Sequence, residues 1–380
     1  MRSPPAAPRN ALAQRTFAIL LAVLAVLLPA LVAGVRIERP ASEGEQARLH
    51  AALEAAQQPD RRATLAAHVL YAAAVGDDAA ARLAEHPDQT VARARIVMLP
   101  VVLAVSALLY LLLRATRGSL TAMVSCLALA GLPPVAEDGH VLHPEPLACA
   151  FGLLGALLLA TFAATLHVRR GRRSVHRAVV LVVMIVATGA AFGLSAAALA
   201  PASVLLLVPA GVVTLAWATE TWTWMRLLRR RRLSRPLLPL LARRSWPWFG
   251  MAALGMASTS AVLWVLSAHG VVITPPTPST AALLPPWPRS FLLVPLMVLG
   301  ALRLLLETGS RLSARRVHPA LVPLLFAAIV LMHHSLYGAG MAAILPACAA
   351  ALLFGEGMMT AIAMLAAALL LRAQRRGEQG

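Results

Sequence analysis

Carboxylates are the residues with most capacity for chemistry in this chain, because they are few and gathered. Of 16 Asp and Glu residues, nine fall within 35–95 and three within 134–146. A carboxylate beside a substrate can accept a proton, orient an acceptor or bind a divalent cation. Glu43, Glu45 and Glu145 are the candidates for such a role, since they stand next to long apolar segments.

Each of these acids also has a structural explanation. Loops outside a membrane need charged residues for solubility, and an acid in the first turn of a helix favours the helix dipole. Glu145 stands in HPEPL, directly before a long apolar run, so helix capping and a site role both remain open.

Histidines and arginines supply the remaining candidates. His140 and His143 flank the acid of HPEPL, and Arg289 precedes a later apolar run. Arg36 and Arg39 follow the first apolar run and are alternative cations. Arginines at such places also serve as interfacial anchors.

The composition indicates which elements must position these side chains. The 380 residues are 59% hydrophobic and 13% charged, whereas soluble domains carry about 25% charged residues. Long apolar runs exclude a disordered chain and a soluble nucleic-acid binder, despite a net charge of +18. The sequence predicts an all-α, polytopic membrane bundle of about 10–12 transmembrane helices, forming one domain over 1–380. The three cysteines lie in or beside apolar runs and are predicted to be packing thiols.

Eleven apolar runs are candidate spans. They cover about 17–34, 96–113, 119–133, 147–166, 178–196, 201–218, 248–268, 289–306, 320–336, 338–354 and 358–372.

Arginine-rich segments predict the orientation. Clusters at 169–177, 226–246 and 311–316 mark cytoplasmic segments by the positive-inside rule, and the N-terminus is cytoplasmic as well. We therefore expect a multi-pass protein of a bacterial inner membrane, with 35–95 and 134–146 on the periplasmic side. Eleven spans place the arginines of 372–376 outside, so the count is expected to be wrong by one near 178–218 or 338–372.

The first outer loop, 35–95, is predicted to be helical. Its segment EGEQARLHAALEAAQQ at 43–58 places Leu49, Ala52, Leu53 and Ala56 on one stripe, which suits a helix lying on the bilayer or above a cavity. A second helix is expected at 62–75. Together they would form a lid over the membrane part.

The order of parts in 93–166 resembles the GT-C superfamily of membrane glycosyltransferases, in the branch of protein O-mannosyltransferases and bacterial aminoarabinose transferases. The shared features are an arginine-led second span, a basic turn with Gly, a third span ending in Pro, and an acid-bearing loop before the fourth span. Here they are Arg93 and Arg95, Arg114 to Gly118, Pro133 and Pro134, and GHVLHPEP.

This resemblance implies transfer of a sugar from a polyprenyl-phosphate-linked donor on the outer face of the membrane. The acidic motif of the family's first outer loop matches SEGEQ at 42–46, with Ser42 at the Asp position and Glu43 at the Glu position. Glu43 is then the predicted base, with Glu45 as its substitute. Glu145 matches the second acidic position, where it would shape the acceptor site or bind a divalent ion with help from His140 and His143.

The donor phosphate would be met by Arg289, with Arg36 and Arg39 as alternatives. Expected partners are the polyprenyl-linked sugar, membrane lipids and an unspecified acceptor, but no nucleic acid. Two other functions remain open, a non-catalytic membrane subunit on the same fold and a lipid or solute transporter. The transporter is less favoured because charges within the spans are few.

Overall fold

The computed structural model describes most of the chain as long helices. The described residues are 9–35, 37–57, 63–65, 79–136, 142, 144–167, 175–230, 237–272, 289–313, 319–337 and 344–377. In chain order the helices are α1 (Arg9–Gly34), α2 (Glu43–Gln57), α3 (Ala79–Glu85), α4 (Pro87–Thr116), α5 (Ser119–Gly131), α6 (Pro133–Ala136), α7 (Glu145–His167), α8 (Val175–Ala198), α9 (Leu207–Arg230), α10 (Leu237–Ala268), α11 (Arg289–Ser313), α12 (Leu321–Tyr337) and α13 (Ile344–Gly377). A 3₁₀ segment, Ala200–Leu206, joins α8 to α9, and two short strands are β1 (Ala63–Thr64) and β2 (Val271–Val272).

The predicted all-α membrane bundle is confirmed. Among the described residues, eight helices are long and apolar enough to span a membrane, and α5 and α12 are shorter apolar helices. If these two are counted as spans, the described residues hold ten, within the predicted 10–12.

One prediction of span boundaries was wrong near the C-terminus. The runs 338–354 and 358–372 are not two spans, because Ile344–Gly377 is a single helix of 34 residues. Gly355 and Gly357, inside the expected break, instead pack against Ser125 of α5 and Leu296 of α11. With ten spans, the start of α1 and the end of α13 would fall on one side of the membrane, the arrangement that the positive-inside rule predicts; the side itself remains a prediction.

Small residues bring the membrane helices close together. In α8, Gly189 lies against Gly255 of α10, leaving no room for a side chain at that crossing. The hydroxyl of Thr259 donates to the carbonyl of Gly189 at 2.9 Å, and Ser258 donates to the carbonyl of Val186 at 2.7 Å. Close backbone approach and side-chain-to-backbone hydrogen bonds are typical of helix packing in lipid.

The basic segment 226–246 is partly helical. Helix α9 extends to Arg230 and α10 begins at Leu237, so the described helices enter this segment from both ends. Its cytoplasmic location remains a prediction.

The first outer loop contains the predicted helix as α2, Glu43–Gln57. The expected helix at 62–75 lies mostly outside the described residues, and its described start is β1. This strand pairs in parallel with β2, with Ala63 opposite Val271 and Thr64 opposite Val272. The pairing attaches the first outer loop to the segment that follows α10.

A small apolar cluster separate from the main bundle core holds this region together. It consists of buried side chains from α2, α3, α4 and the segment before α7: Leu49, Ala52, Leu53, Leu83, Val91, Ala94, Met98 and Leu142. We call α2, α3 and the first turns of α4 the outer lid, a name that follows the location predicted for this loop. The predicted apolar stripe of α2 thus packs on protein through Leu49, Ala52 and Leu53.

Candidate functional site

Helix α2 begins with a capping box formed by Ser42 and Glu45. The Ser42 hydroxyl accepts a hydrogen bond from the Glu45 backbone N–H at 3.3 Å, and the Glu45 carboxylate accepts one from the Ser42 N–H at 3.1 Å. The Ser42 hydroxyl also donates to the same carboxylate at 3.0 Å. The S-x-x-E spacing that produces this motif is readable in the sequence.

Arg95 of α4 also binds the Glu45 carboxylate. Its guanidinium forms a bidentate pair with Glu45, at 3.0 Å from Nε and 2.7 Å from Nη2. Its other hydrogen bonds go to the backbone carbonyls of Ile37 at 2.8 Å, Arg39 at 2.6 Å and Pro40 at 3.3 Å. An arginine has five N–H donors, so every donor of Arg95 is used.

This buried pair fixes the protonation state of Glu45. Burial by itself would raise the pKa of the Glu45 carboxyl, but the hydrogen bonds from Arg95 and Ser42 and the Arg95 charge outweigh it and hold the pKa below its usual range. Both side chains are 2% exposed. The geometry is that of a structural ion pair, while the predicted role of Glu45 as a substitute base remains a prediction.

Glu43 is placed differently, although it is only two residues away. It is the first residue of α2 and is exposed. Within the described part of the chain, no hydrogen bond or ion pair holds its carboxylate. Nearby, the Asp88 carboxylate accepts a hydrogen bond from the Ala41 N–H at 2.8 Å, which fixes the backbone leading into α2. Glu43 is therefore an exposed carboxylate at the start of a helix whose preceding backbone is held by Asp88.

Glu145 is the first residue of α7 and is buried, at 6% exposure. Its position in the first turn matches the helix-dipole explanation, and its burial removes the explanation by solvation. Leu142, three residues earlier, is fully buried in the outer-lid cluster beside Leu49 and Leu53. The segment that carries Glu145 is therefore packed against the helix that begins at Glu43.

Three outer segments meet at this end of the bundle. Leu142 joins the segment before α7 to α2, and the β1–β2 pair joins the first outer loop to the segment after α10. Residues 273–288, between β2 and the start of α11 at Arg289, lie outside the described part of the chain.

The remaining predicted site residues are only partly described. Arg39 is exposed, and its carbonyl serves Arg95 as an acceptor. Arg36, His140 and His143 lie outside the described residues, as does the side chain of Arg289. No group of three His, Cys, Asp or Glu that could hold a metal ion occurs among the described residues. The predicted divalent ion therefore remains a prediction.

A second buried charge cluster lies at the opposite end of the helices and was not predicted. Arg117, in the turn after α4, donates to Glu356 of α13 at 2.5 and 2.9 Å and to Glu307 of α11 at 2.5 Å. Arg303 lies 3.7 Å from the same Glu356 and donates to Thr360 at 3.2 Å. The sequence does contain a signal for this cluster, because Glu356 is an acid between two apolar runs. The prediction assigned those runs to two separate spans, and Glu356 was therefore expected in the loop between them.

An apolar cavity of about 410 Å³ lies within the bundle between α7, α8, α9 and α10. Its wall is formed mainly by aliphatic and aromatic side chains, including Leu159, Phe162, Ile185, Phe192, Val213 and Met251. Only Thr188, Thr259 and Ser260 bring hydroxyls to it. The cavity is suited to a hydrocarbon chain rather than to a polar solute.

Comparison with solved structures identifies the fold. The archaeal oligosaccharyltransferase AglB from Archaeoglobus fulgidus, in complex with an inhibitory peptide and a dolichol-phosphate, matches 96% of this chain with a TM-score of 0.56 and 12% identity. A structure of the Archaeoglobus fulgidus oligosaccharyltransferase tethered to an acceptor peptide matches 92% with a TM-score of 0.53 and 12% identity. ArnT from Cupriavidus metallidurans bound to undecaprenyl phosphate matches 90% of this chain and 60% of its own, with a TM-score of 0.45 and 15% identity.

These similarities concern the fold. The chain spans about half the length of the oligosaccharyltransferase, 52% and 50% in the two structures. No protein-family model matches the chain, and no curated protein matches it by sequence. The fold expected from the resemblance in 93–166 is confirmed to the extent that this chain shares the membrane-helix fold of the archaeal oligosaccharyltransferase.

Proposed function

We propose that this chain is an integral membrane glycosyltransferase that moves a sugar from a polyprenyl-phosphate-linked donor to an acceptor on the outer face of the membrane. The observation that supports the proposal is the packing of the segment before Glu145 against the helix that begins at Glu43, through Leu142 and Leu49. These two acids are far apart in the sequence, and Arg289 is proposed to lie near them. The membrane is a bacterial inner membrane, with the N-terminus and the arginine clusters on the cytoplasmic side.

Glu43 is the base in this proposal. Transfer to a hydroxyl or amine requires a carboxylate that accepts the acceptor proton as the new bond to the sugar forms. Glu43 suits this role better than Glu45, whose carboxylate is bound by Arg95 and Ser42. Glu145, buried at the start of α7, positions the acceptor, with His140 and His143 as neighbours in the same segment.

The departing polyprenyl phosphate needs a cation, because negative charge grows on its oxygens as the glycosidic bond breaks. Arg289 at the start of α11 is the proposed partner, with Arg36 and Arg39 as alternatives. The lipid tail requires an apolar channel, and the cavity between α7 and α10 supplies one of about 410 Å³. The similar oligosaccharyltransferase was solved with a dolichol-phosphate, which supports a donor of the same class here.

A non-catalytic subunit on the same fold is the second candidate. The observation that favours it is the capping box, because Ser42 stands at the Asp position of the family's motif and is engaged with Glu45. In that case the outer lid would serve as a docking surface, and the Glu43 carboxylate would have no chemical role.

The deciding experiment replaces Glu43 with Gln and measures donor consumption. Membranes containing the full chain are supplied with a panel of polyprenyl-phosphate-linked sugars, and the release of polyprenyl phosphate is measured, so that the acceptor need not be known. Loss of a general base lowers the rate by about 10²–10⁴-fold. Glu145→Gln is expected to lower it as well.

Glu38→Gln is the matched control, since Glu38 is an exposed acid of the same segment. Glu45→Gln is not a suitable test, because it breaks the pair with Arg95. A rate in Glu43→Gln equal to that of Glu38→Gln, with normal membrane insertion, would refute the role of Glu43 as the base. No donor consumption by the unaltered chain over the whole panel would favour the non-catalytic subunit.

A further inference from the structure

A groove on the lipid-facing surface between α1 and α4 is distinct from the outer site. It measures about 850 Å³ and is lined by Ala18, Ala22, Leu27, Leu103, Ala107 and Tyr110, among others. Its floor is shaped by alanines, which leave a depression where larger side chains would fill the space. In a bilayer such a groove must be occupied by hydrocarbon.

Two arginines mark one end of the groove. Arg15 at the start of the α1 span and Arg114 in the last turn of α4 both line it, together with Ser119. Both arginines are exposed, and within the described part of the chain neither has an acidic partner. By contrast, the nearby Arg117 turns inward to Glu356 and Glu307. The mouth of the groove therefore carries two uncompensated positive charges.

The length of the groove matches one half of a bilayer. From Arg15 to Leu27 the helix rises by about 18 Å at about 1.5 Å per residue. One leaflet of the hydrocarbon core is about 15 Å thick. The charges thus stand at the level of the headgroups, while the apolar wall reaches towards the midplane.

We propose that this groove binds one anionic glycerophospholipid of the leaflet on the arginine-rich side, with its phosphate between Arg15 and Arg114 and an acyl chain along α1 and α4. Arginine forms strong, charge-assisted hydrogen bonds to phosphate, and basic pockets between membrane helices are suited to anionic headgroups. Net headgroup charge makes the site selective, because a zwitterionic lipid brings its own cation to the two arginines. The site is independent of the proposed transferase activity.

Native mass spectrometry of the full chain tests this binding. The protein is extracted in mild detergent from liposomes with equal amounts of phosphatidylglycerol and phosphatidylcholine. We expect one retained phosphatidylglycerol per chain. In the double variant Arg15→Gln/Arg114→Gln, the preference for phosphatidylglycerol over phosphatidylcholine should fall about 30-fold. Each arginine near the headgroups contributes a factor of about five to this preference.

Two further variants separate charge from shape. Arg226→Gln removes an exposed arginine near the same end of another helix, α9, and should leave retention unchanged. Ala107→Phe fills the groove while keeping both arginines, and should abolish retention. Equal retention of both lipids by the unaltered chain, or undiminished selectivity in the double arginine variant, would overturn the proposal. Displacement of phosphatidylglycerol by one equivalent of undecaprenyl phosphate would also overturn it, because the site would then belong to the carrier lipid.

Discussion

Arg95 and Glu45 lie 50 residues apart in the sequence and meet in a buried bidentate ion pair. The arginine also binds three carbonyls of the segment between α1 and α2. The Arg95 side chain therefore holds two parts of the chain in place. These are the segment between α1 and α2, and the helix α2 that begins at Glu43. The placement of Glu43 therefore depends in part on Arg95.

Removing Arg95 should release the outer lid. Arg95→Gln leaves the Glu45 carboxylate buried without its cation, and breaking a buried pair in this way costs about 3–5 kcal/mol. We expect faster proteolysis of the segment 35–86 in membranes and a lower unfolding temperature.

The exposed neighbour Arg93 provides the control, since Arg93→Gln removes the same charge from the surface. In the double variant Arg95→Met/Glu45→Leu no charge is buried, so part of the lost stability should return. Equal protease resistance of the Arg95→Gln and Arg93→Gln proteins would contradict the role of this pair.

The outer lid should also weaken in acid. Because the folded-state pKa of Glu45 lies below the ordinary value of 4.5, its ionisation stabilises the folded lid above that pH, and this contribution is lost as the pH falls through the folded pKa. Hydrogen exchange of the α2 amides at pH 7, 5, 4 and 3, corrected for intrinsic rates, measures the effect. Loss of protection should begin below about pH 4.5. The Glu45→Gln protein should lack this acid-dependent step; its persistence there would assign the transition to another group.

The fold was predictable because its signals are local. Apolar runs of span length and arginine-rich connections are read from neighbouring residues, and they predict a helical membrane bundle and the side on which both termini lie once the spans are counted correctly. The count failed at Gly355, Glu356 and Gly357. These residues break the apolar pattern, yet the helix continues because the glycines fit against α5 and α11 and Glu356 finds Arg117.

The site was predictable only as a list of residues. Glu43 and Glu45 have similar sequence surroundings, but one is exposed and the other is buried against Arg95. That difference arises from a partner 50 positions away. The S-x-x-E spacing does indicate that Glu45 belongs to a helix cap, which is the local part of its role. The Arg117–Glu356 pair spans 239 positions, and although Glu356 stands out as an acid between two apolar runs, no neighbouring residue indicates its partner.

The cluster formed by Arg117, Glu307, Glu356 and Arg303 should be essential for the stability of the folded protein. Arg117→Gln leaves Glu356, which is fully buried, with the more distant Arg303 as its remaining cation among the described residues. We expect a loss of about 3–5 kcal/mol, seen as a lower yield of monodisperse protein and a lower unfolding temperature. Arg226→Gln serves as the control for an exposed arginine. Adding Glu356→Gln to Arg117→Gln removes the unpaired charge and should recover part of the lost stability; no recovery in this double variant would show that the unpaired charge of Glu356 is not the cause.

The contact between α7 and α13 can be tested through two thiols. Cys149 and Cys348 lie 199 positions apart, and their Sγ atoms are 3.5 Å apart in the buried core. Both are free. A membrane-permeant oxidant should join them in the Cys126→Ser protein. With a protease site inserted between Arg230 and Leu237, the two fragments should remain linked without reductant and separate with dithiothreitol.

The Cys348→Ser protein is the control for that cross-link, and its fragments should separate under both conditions. Separation of the fragments in oxidised Cys126→Ser protein would contradict the packing of α7 against α13.

The crossing of α11 and α13 should tolerate no side chain at Gly300. A Cβ there would meet the carbonyl of Leu353 and lie 2.8 Å from the backbone nitrogen of Gly357. Gly300→Ala therefore forces the helices apart, and overpacking of this kind costs about 1–3 kcal/mol. Gly309, in the same helix, has no atom within 4 Å of its Cβ position, so Gly309→Ala should gain up to about 1 kcal/mol from helix propensity. Unfolding temperatures in one detergent compare the two variants. The unfolding temperature should fall in Gly300→Ala and rise in Gly309→Ala. A similar change in both variants would mean that helix propensity, and not the close crossing, decides the stability of this pair of helices.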